Sequence, residues 1–159
     1  MSKVLVISAS DSSLPAMQAA KDILEEFGVE YTLTISSAHR SPERSVELVS
    51  EFHKNGGKVI ICGAGLAAHL AGVVAAHFPL PVIGVPLSDG PLQGQDALLA
   101  TVQMPGGIPV ATVGIDNSKN AGILAVQILA TSDKGLEEKL VEYKQKLAKG
   151  VEEKAAKLT

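Results

Sequence analysis

The stretch Val29-Glu30-Tyr31-Thr32-Leu33-Thr34-Ile35 decides the architecture. Its apolar and polar residues alternate, so a strand here has one dry and one wet face, as a strand at the edge of a sheet does. Its neighbours read differently. Val4-Leu5-Val6-Ile7, Val59-Ile60-Ile61-Cys62 and Pro81-Val82-Ile83-Gly84-Val85 are apolar throughout, as strands of a parallel sheet covered on both faces must be. Pro109-Val110-Ala111-Thr112-Val113 supplies a fifth strand.

Helical segments separate these strands. Ser12 or Ser13 offers an N-cap with Pro15 in the first turn, and Met17, Ala20, Leu24 and Phe27 form one stripe before Gly28 ends the helix. Ser41-Pro42-Glu43 opens a second helix and Gly56-Gly57 stops it. Further helices are expected over 66–76, 92–102 and 121–130. The segment 66–76 has no Lys, Arg, Asp or Glu, so it is expected to be buried on more than one side, at a subunit interface. The tail 133–159 is rich in Lys and Glu, with Leu136, Leu140, Tyr143, Leu147 and Val151 three or four apart. It reads as an amphipathic helix that needs an apolar partner, with packing on a neighbouring subunit expected. Strands alternating with helices predict one three-layer α/β domain over 1–159 with a flavodoxin-like parallel sheet, order 2-1-3-4-5.

Composition narrows the function. The 159 residues suit one domain, and 46% hydrophobic with 19% charged residues describes a folded chain. Aromatic residues are 3% of the total and the net charge is −3, which leaves no basic, aromatic-lined groove for nucleic acid. One cysteine, Cys62, excludes a disulfide scaffold and a multi-cysteine metal site. At the end of an apolar strand it reads as a packed thiol. No apolar run approaches the length of a membrane span. Met1-Ser2-Lys3 leads directly into a strand without a signal-peptide pattern, so a reduced, cytoplasmic location is expected.

In such a sheet, ligands bind outside the carboxyl ends of the strands, and the loops there carry the polar residues. Ser8-Ala9-Ser10-Asp11-Ser12-Ser13 precedes a helix and either caps it or binds an anion at its N-terminus. Ser36-Ser37-Ala38-His39-Arg40-Ser41-Pro42 holds the sole His–Arg pair. Arg offers a fork for phosphate, and His moves a proton near neutral pH. Gly63-Ala64-Gly65-Leu66-Ala67-Ala68 fits the dinucleotide pattern G-x-G-x-x-A, but it follows a central strand and no acid closes the next one. A tight glycine turn that brings backbone against a phosphorylated or planar ligand is the other reading. His69 belongs either to the site or to the core. Ser88-Asp89-Gly90-Pro91-Leu92-Gln93-Gly94 is a polar loop of unassigned role. A P-loop, an H-E-x-x-H motif and a G-x-S-x-G elbow are all missing.

Taken together, five stretches resemble one family over nearly the whole chain: Ser37-Ala38-His39-Arg40-Ser41-Pro42, Gly63-Ala64-Gly65 with Ala67-Ala68-His69-Leu70, Pro81-Val82-Ile83-Gly84-Val85-Pro86, the run from Val102 through Met104-Pro105-Gly106-Gly107 to Val110, and Asn120-Ala121. The family is the small aminoimidazole ribonucleotide carboxylase/mutase of purine biosynthesis. Ala67-Ala68-His69-Leu70 resembles the form that rearranges N5-carboxyaminoimidazole ribonucleotide to its C4-carboxylated isomer, whereas the other form carboxylates aminoimidazole ribonucleotide directly.

The resemblance implies roles. Ser10 and Arg40, with Ser37 nearby, would hold the 5′-phosphate, and His39 would be the general acid/base. Gly63, Ala64, Gly65, Ala68 and His69 would wall the base and a CO2 pocket. No cofactor or metal is implied, and the family's octamer would bury the uncharged helix and the apolar stripe of the tail. There are departures. The family's first loop, Gly-Ser-x-Ser-Asp, is here Ala9-Ser10-Asp11-Ser12-Ser13, so Ser13 stands where the family has an acid against the ribose hydroxyls. Leu66, Ala71 and Val73 replace the family's Gly, Pro and Met, and the loop 88–91 is atypical. A paralogue acting on a related ribonucleotide is the alternative these changes raise.

Overall fold

The computed structural model describes residues 1–158. Thr159, the last residue of the expected helical tail, lies outside them. Five strands form one parallel sheet: β1 (Val4–Ser8), β2 (Tyr31–Ile35), β3 (Val59–Gly65), β4 (Val82–Leu87) and β5 (Ala111–Thr112). Their order is β2-β1-β3-β4-β5, with β2 at the edge as its alternation requires. Each crossover is helical: α1 (Leu14–Phe27), α2 (Pro42–Lys54), α3 (Leu70–His77) and α4 (Gln95–Val102). After β5 come α5 (Ser118–Ala130) and α6 (Lys134–Ala156).

The two-residue period of the strands divides the interior into two cores. Val4, Val6, Val59, Ile61, Ile83 and Val85 point to one face, where Met17, Leu24 and Phe27 of α1 meet Ala121, Ala125 and Val126 of α5. Leu5, Ile7, Ile60, Cys62 and Val82 point to the other, against Val49 and Phe52 of α2, Leu70 and Val74 of α3, and Ala97 of α4. Both faces of the central strands are dry, so the sheet is the middle of three layers.

Several boundaries differ from the sequence reading, each for a local reason. The glycine run after β3 is no turn. The strand continues through Gly63, Ala64 and Gly65, paired with Val85, Pro86 and Leu87 of β4. The chain turns at Leu66 (φ 54), a left-handed conformation from which a helix cannot start, and α3 begins only at Leu70. The expected helix over 66–76 is shortened accordingly. Gly63 is required by contact: a Cβ there would lie 2.3 Å from Sδ of Met17. The strand expected at 109–113 narrows to Ala111–Thr112, since Pro109 has no N–H to give to a ladder. Helix α4 starts at Gln95 behind Gly94 (φ 87), three residues later than expected. Helix α5 starts at Ser118, where the Asn117 side chain accepts the N–H of Asn120 at 3.1 Å.

Helix α6 is capped by Asp133, which accepts the N–H of Leu136 at 3.1 Å. Its first half lies on this chain's own core: Leu140 is buried, and the Tyr143 ring sits 5.5 Å from that of Phe27. Its second half turns Leu147 (54% exposed) and Val151 (68%) outward. No helix among the described residues is long and apolar enough to cross a membrane.

Two outcomes follow from this packing. Gly63→Ala forces a methyl against the buried Met17 and should lower stability by about 1–3 kcal/mol, read from urea unfolding. Burial pushes the Cys62 thiol well above its ordinary range, so an aromatic disulfide reagent at pH 8 should leave the native protein unmodified and label one thiol after denaturation.

Candidate active site

All the strands run the same way, so the loops after β1, β2, β3 and β4 emerge at one edge. There they enclose an open cavity of about 690 Å3. The loop after β1 brings Ser10 and Ser13, the loop after β2 brings Ser37, His39 and Arg40, and the end of β3 with its following loop brings Ala64, Gly65 and His69. Eight of the ten candidate residues thus meet in one place. The other two do not border the cavity. Gly63 is buried within β3 against Met17, and Ala68 points into the core beside Leu70 and Val74. Both shape the site through the backbone, because each is a small residue under a closely packed strand or helix start.

Serines at the expected helix starts do something other than capping. Ser13 and Ser41 occupy the N-cap positions of α1 and α2, but neither side chain caps its helix. The Ser41 hydroxyl turns back to the loop, accepting the N–H of Ser37 at 3.1 Å and donating to its carbonyl at 3.2 Å. This closes the 37–41 turn that presents His39 and Arg40. The Arg40 N–H donates to Ser37 Oγ at 3.2 Å, and its guanidinium Nη2 reaches the carbonyl of Ala9 at 3.2 Å. Its Nε also donates to Ser37 Oγ, at 3.5 Å. Arg40 forms no ion pair among the described residues, so the other guanidinium N–H groups are donors of the kind that take an anion.

The serines of the first loop carry a defined direction. Ser13 Oγ donates to Asp89 Oδ2 at 3.1 Å. That uses its one hydroxyl proton, so Ser10 must be the donor in the 2.7 Å contact between Ser10 and Ser13. By the same count Ser12 donates to Ser10 at 2.9 Å, and the backbone N–H of Ser13 also donates to Ser10 Oγ, at 3.2 Å. The hydroxyls therefore point in series from Ser12 through Ser10 and Ser13 to the carboxylate.

His39 and His69 come from different loops and meet at the cavity. Nε2 of His39 lies 2.7 Å from Nδ1 of His69, with the rings edge to face at 4.8 Å. One nitrogen donates and the other accepts, so a single proton lies between the rings and fixes their mutual orientation. His69 thus belongs to the site and not to the core; it is exposed at the N-terminus of α3.

Asp89 is the site residue that loop-by-loop reading did not single out. It follows β4, lines the cavity and receives Ser13. The available signal was its place at the carboxyl end of a dry strand. The dinucleotide reading of 63–68 loses its basis, because the pattern's first glycines are strand and α3 starts five residues beyond Gly65. Among the described residues no group of three or more His, Cys, Asp and Glu side chains is arranged to hold a metal ion.

An Arg–Ser corner and a histidine couple lie together at the carboxyl edge of a 2-1-3-4-5 sheet, the edge where α/β proteins of this order bind their ligands. The chain belongs to the AIR carboxylase family, whose model matches residues 3–150. It is 52% identical over 158 residues to the N5-carboxyaminoimidazole ribonucleotide mutase of Thermotoga maritima, covering 99% of this chain and 92% of that protein. It is 56% identical over 153 residues to the protein of the same name from Synechocystis, covering 96% and 87%. A phosphoribosylaminoimidazole carboxylase of Candida glabrata is 53% identical over 153 residues, which are 96% of this chain and 27% of that longer protein. Among solved structures, PurE of Treponema denticola superposes with a TM-score of 0.86 at 28% identity, covering 98% of each chain. A PurE2 variant from the same organism reaches 0.90 at 29%, covering 98% of this chain and 97% of the other.

The open donors of Arg40 predict anion binding. Inorganic phosphate should protect the protein against thermal unfolding, and Arg40→Ala should weaken that binding about 10- to 100-fold, the worth of a charge-assisted hydrogen-bond pair.

Proposed function

We propose that the protein is an N5-carboxyaminoimidazole ribonucleotide mutase of purine biosynthesis, an isomerase that moves a carboxylate from nitrogen to C4 of the imidazole. The observation that carries this reading is the His39–His69 couple at 2.7 Å beside the Arg40 and Ser10 corner, in a chain whose relatives bear that name. Ser10, Ser37 and Arg40 hold the 5′-phosphate, which places the imidazole over Ala64, Gly65 and His69.

His39 gives a proton to the substrate nitrogen as the N–C bond breaks and CO2 leaves. C4 of the ring then attacks the trapped CO2, and His39 takes the proton that C4 carried. One proton is given and one is taken back, so the cycle closes without a net reagent. The walls of the cavity keep the CO2 beside C4, where its effective concentration far exceeds that in solution. His69 acts as a positioning residue, holding the His39 ring through their shared proton. The exposed stripe of Leu147 and Val151 and the largely uncharged α3 support a homo-oligomer, with an octamer as the form we favour, in which α6 reaches a neighbouring subunit. A cytoplasmic enzyme fits this role.

Direct carboxylation is the second reading, favoured by the fungal relatives named phosphoribosylaminoimidazole carboxylase. Carbon-13-labelled N5-carboxyaminoimidazole ribonucleotide, incubated with pure protein without ATP, separates the two. A mutase yields the C4-carboxylated isomer from it, whereas a direct carboxylase forms that isomer only from aminoimidazole ribonucleotide and CO2. His39→Asn should lower turnover by about 10²- to 10⁴-fold, the usual worth of a general acid–base group, with ligand affinity retained. Full activity in that variant would remove His39 from the mechanism.

A further inference from the structure

The cavity is polar along one rim, and the polarity is not uniform. Following the hydrogen bonds from Arg40 leads to the Ala9 carbonyl, then through Ser10 and Ser13 to Asp89. The rim thus begins with a cation and ends with a carboxylate, with the serine loop between them. A carboxylate accepts hydrogen bonds and repels anions. A phosphorylated ligand therefore has one orientation: phosphate at Arg40 and Ser10, neutral hydrogen-bond donors towards Asp89.

The carboxylate is held in place for such a task. Its loop is fixed at the base by Ser88, whose N–H donates to Asp116 Oδ1 at 2.9 Å. The end of β3 leaves a notch for the side chain, since a Cβ on Gly65 would lie 2.6 Å from Asp89 Oδ2. Leu66 (50% exposed), held at φ 54, leans over Gly90 on the next step of the loop. Among the described residues Asp89 forms no ion pair, and Ser13 Oγ is its one hydrogen-bond donor. Acceptor sites on an oriented carboxylate thus face the cavity without a protein partner.

We infer that Asp89 is the specificity-determining acceptor for the ligand's vicinal hydroxyls, positioned by Ser13 and reached from the loop after β4. This inference rests on the ribonucleotide reading of the site, because ribose supplies the two hydroxyl donors. It also gives Ser13 a defined part: its hydroxyl orients the acid instead of contacting the sugar as the main acceptor. The competing role for Asp89 is a staple that only holds the loop closed, and a staple would serve ribose and deoxyribose ligands equally.

The test is calorimetric binding of aminoimidazole ribonucleotide and its 2′,3′-dideoxy counterpart to the full chain. The wild-type protein should prefer the ribonucleotide by about 10- to 100-fold, the worth of hydrogen bonds to a charged acceptor. Asp89→Ala should bring the two affinities together, and Asp89→Asn, which keeps one acceptor oxygen, should fall between. Arg40→Ala should weaken both ligands and keep their ratio. Asp89 lies on an exposed loop, and equal melting temperatures of the variants would confirm intact folding. A preference unchanged in both Asp89 variants overturns the inference and leaves the mutase reading standing. Failure of the wild-type protein to bind the ribonucleotide overturns both.

Discussion

Parallel pairing is the constraint on which the rest of this molecule depends. Because β1, β2, β3 and β4 run in one direction, their carboxyl ends and the loops that follow them share one edge. Side chains separated by tens of residues, such as Ser13 and Asp89 or His39 and His69, become hydrogen-bond partners there. The same arrangement requires helices on both faces, since the central strands are apolar on both sides and a sheet so built cannot stand in water. Fold and site therefore have one origin.

Small residues at that edge serve close approach. Gly63 lets Met17 pack on β3, and Gly65 leaves the notch that Asp89 fills. Neither bends the chain. The bend falls to Leu66, at a strained positive φ beside the cavity, which is where stored backbone strain tends to occur in proteins with a functional pocket. The low aromatic content accords with this economy, for the cavity is lined by close backbone, directed hydroxyls and one pair of imidazoles.

The strands, their order and the loops of interest were legible in the sequence because each rests on a local pattern. Alternation in 29–35 marks the edge, uninterrupted apolar runs mark the interior, and polar loops after strands mark the place of the ligand. Element ends were less legible. Pro109 shortens β5, and the left-handed turn at Leu66 delays α3, both through backbone conditions that composition does not express. Serine before a helix reads as a cap, yet Ser13 and Ser41 turn to loop partners that offered a better acceptor or donor in three dimensions.

By itself, then, the sequence determined the layers, the strand order and the loops that carry His39 and Arg40 as candidates, since these follow from periodicity and from residue chemistry at strand ends, whereas the part given to Ser10 came from the family resemblance. Tertiary structure decided which loops meet. It brought His69 from the start of α3 to His39, withdrew Gly63 and Ala68 into the core, and set Asp89 against Ser13 across 76 positions of sequence. The reason is physical: hydrogen bonds between loops depend on the register of strands packed side by side, and no local pattern encodes that register.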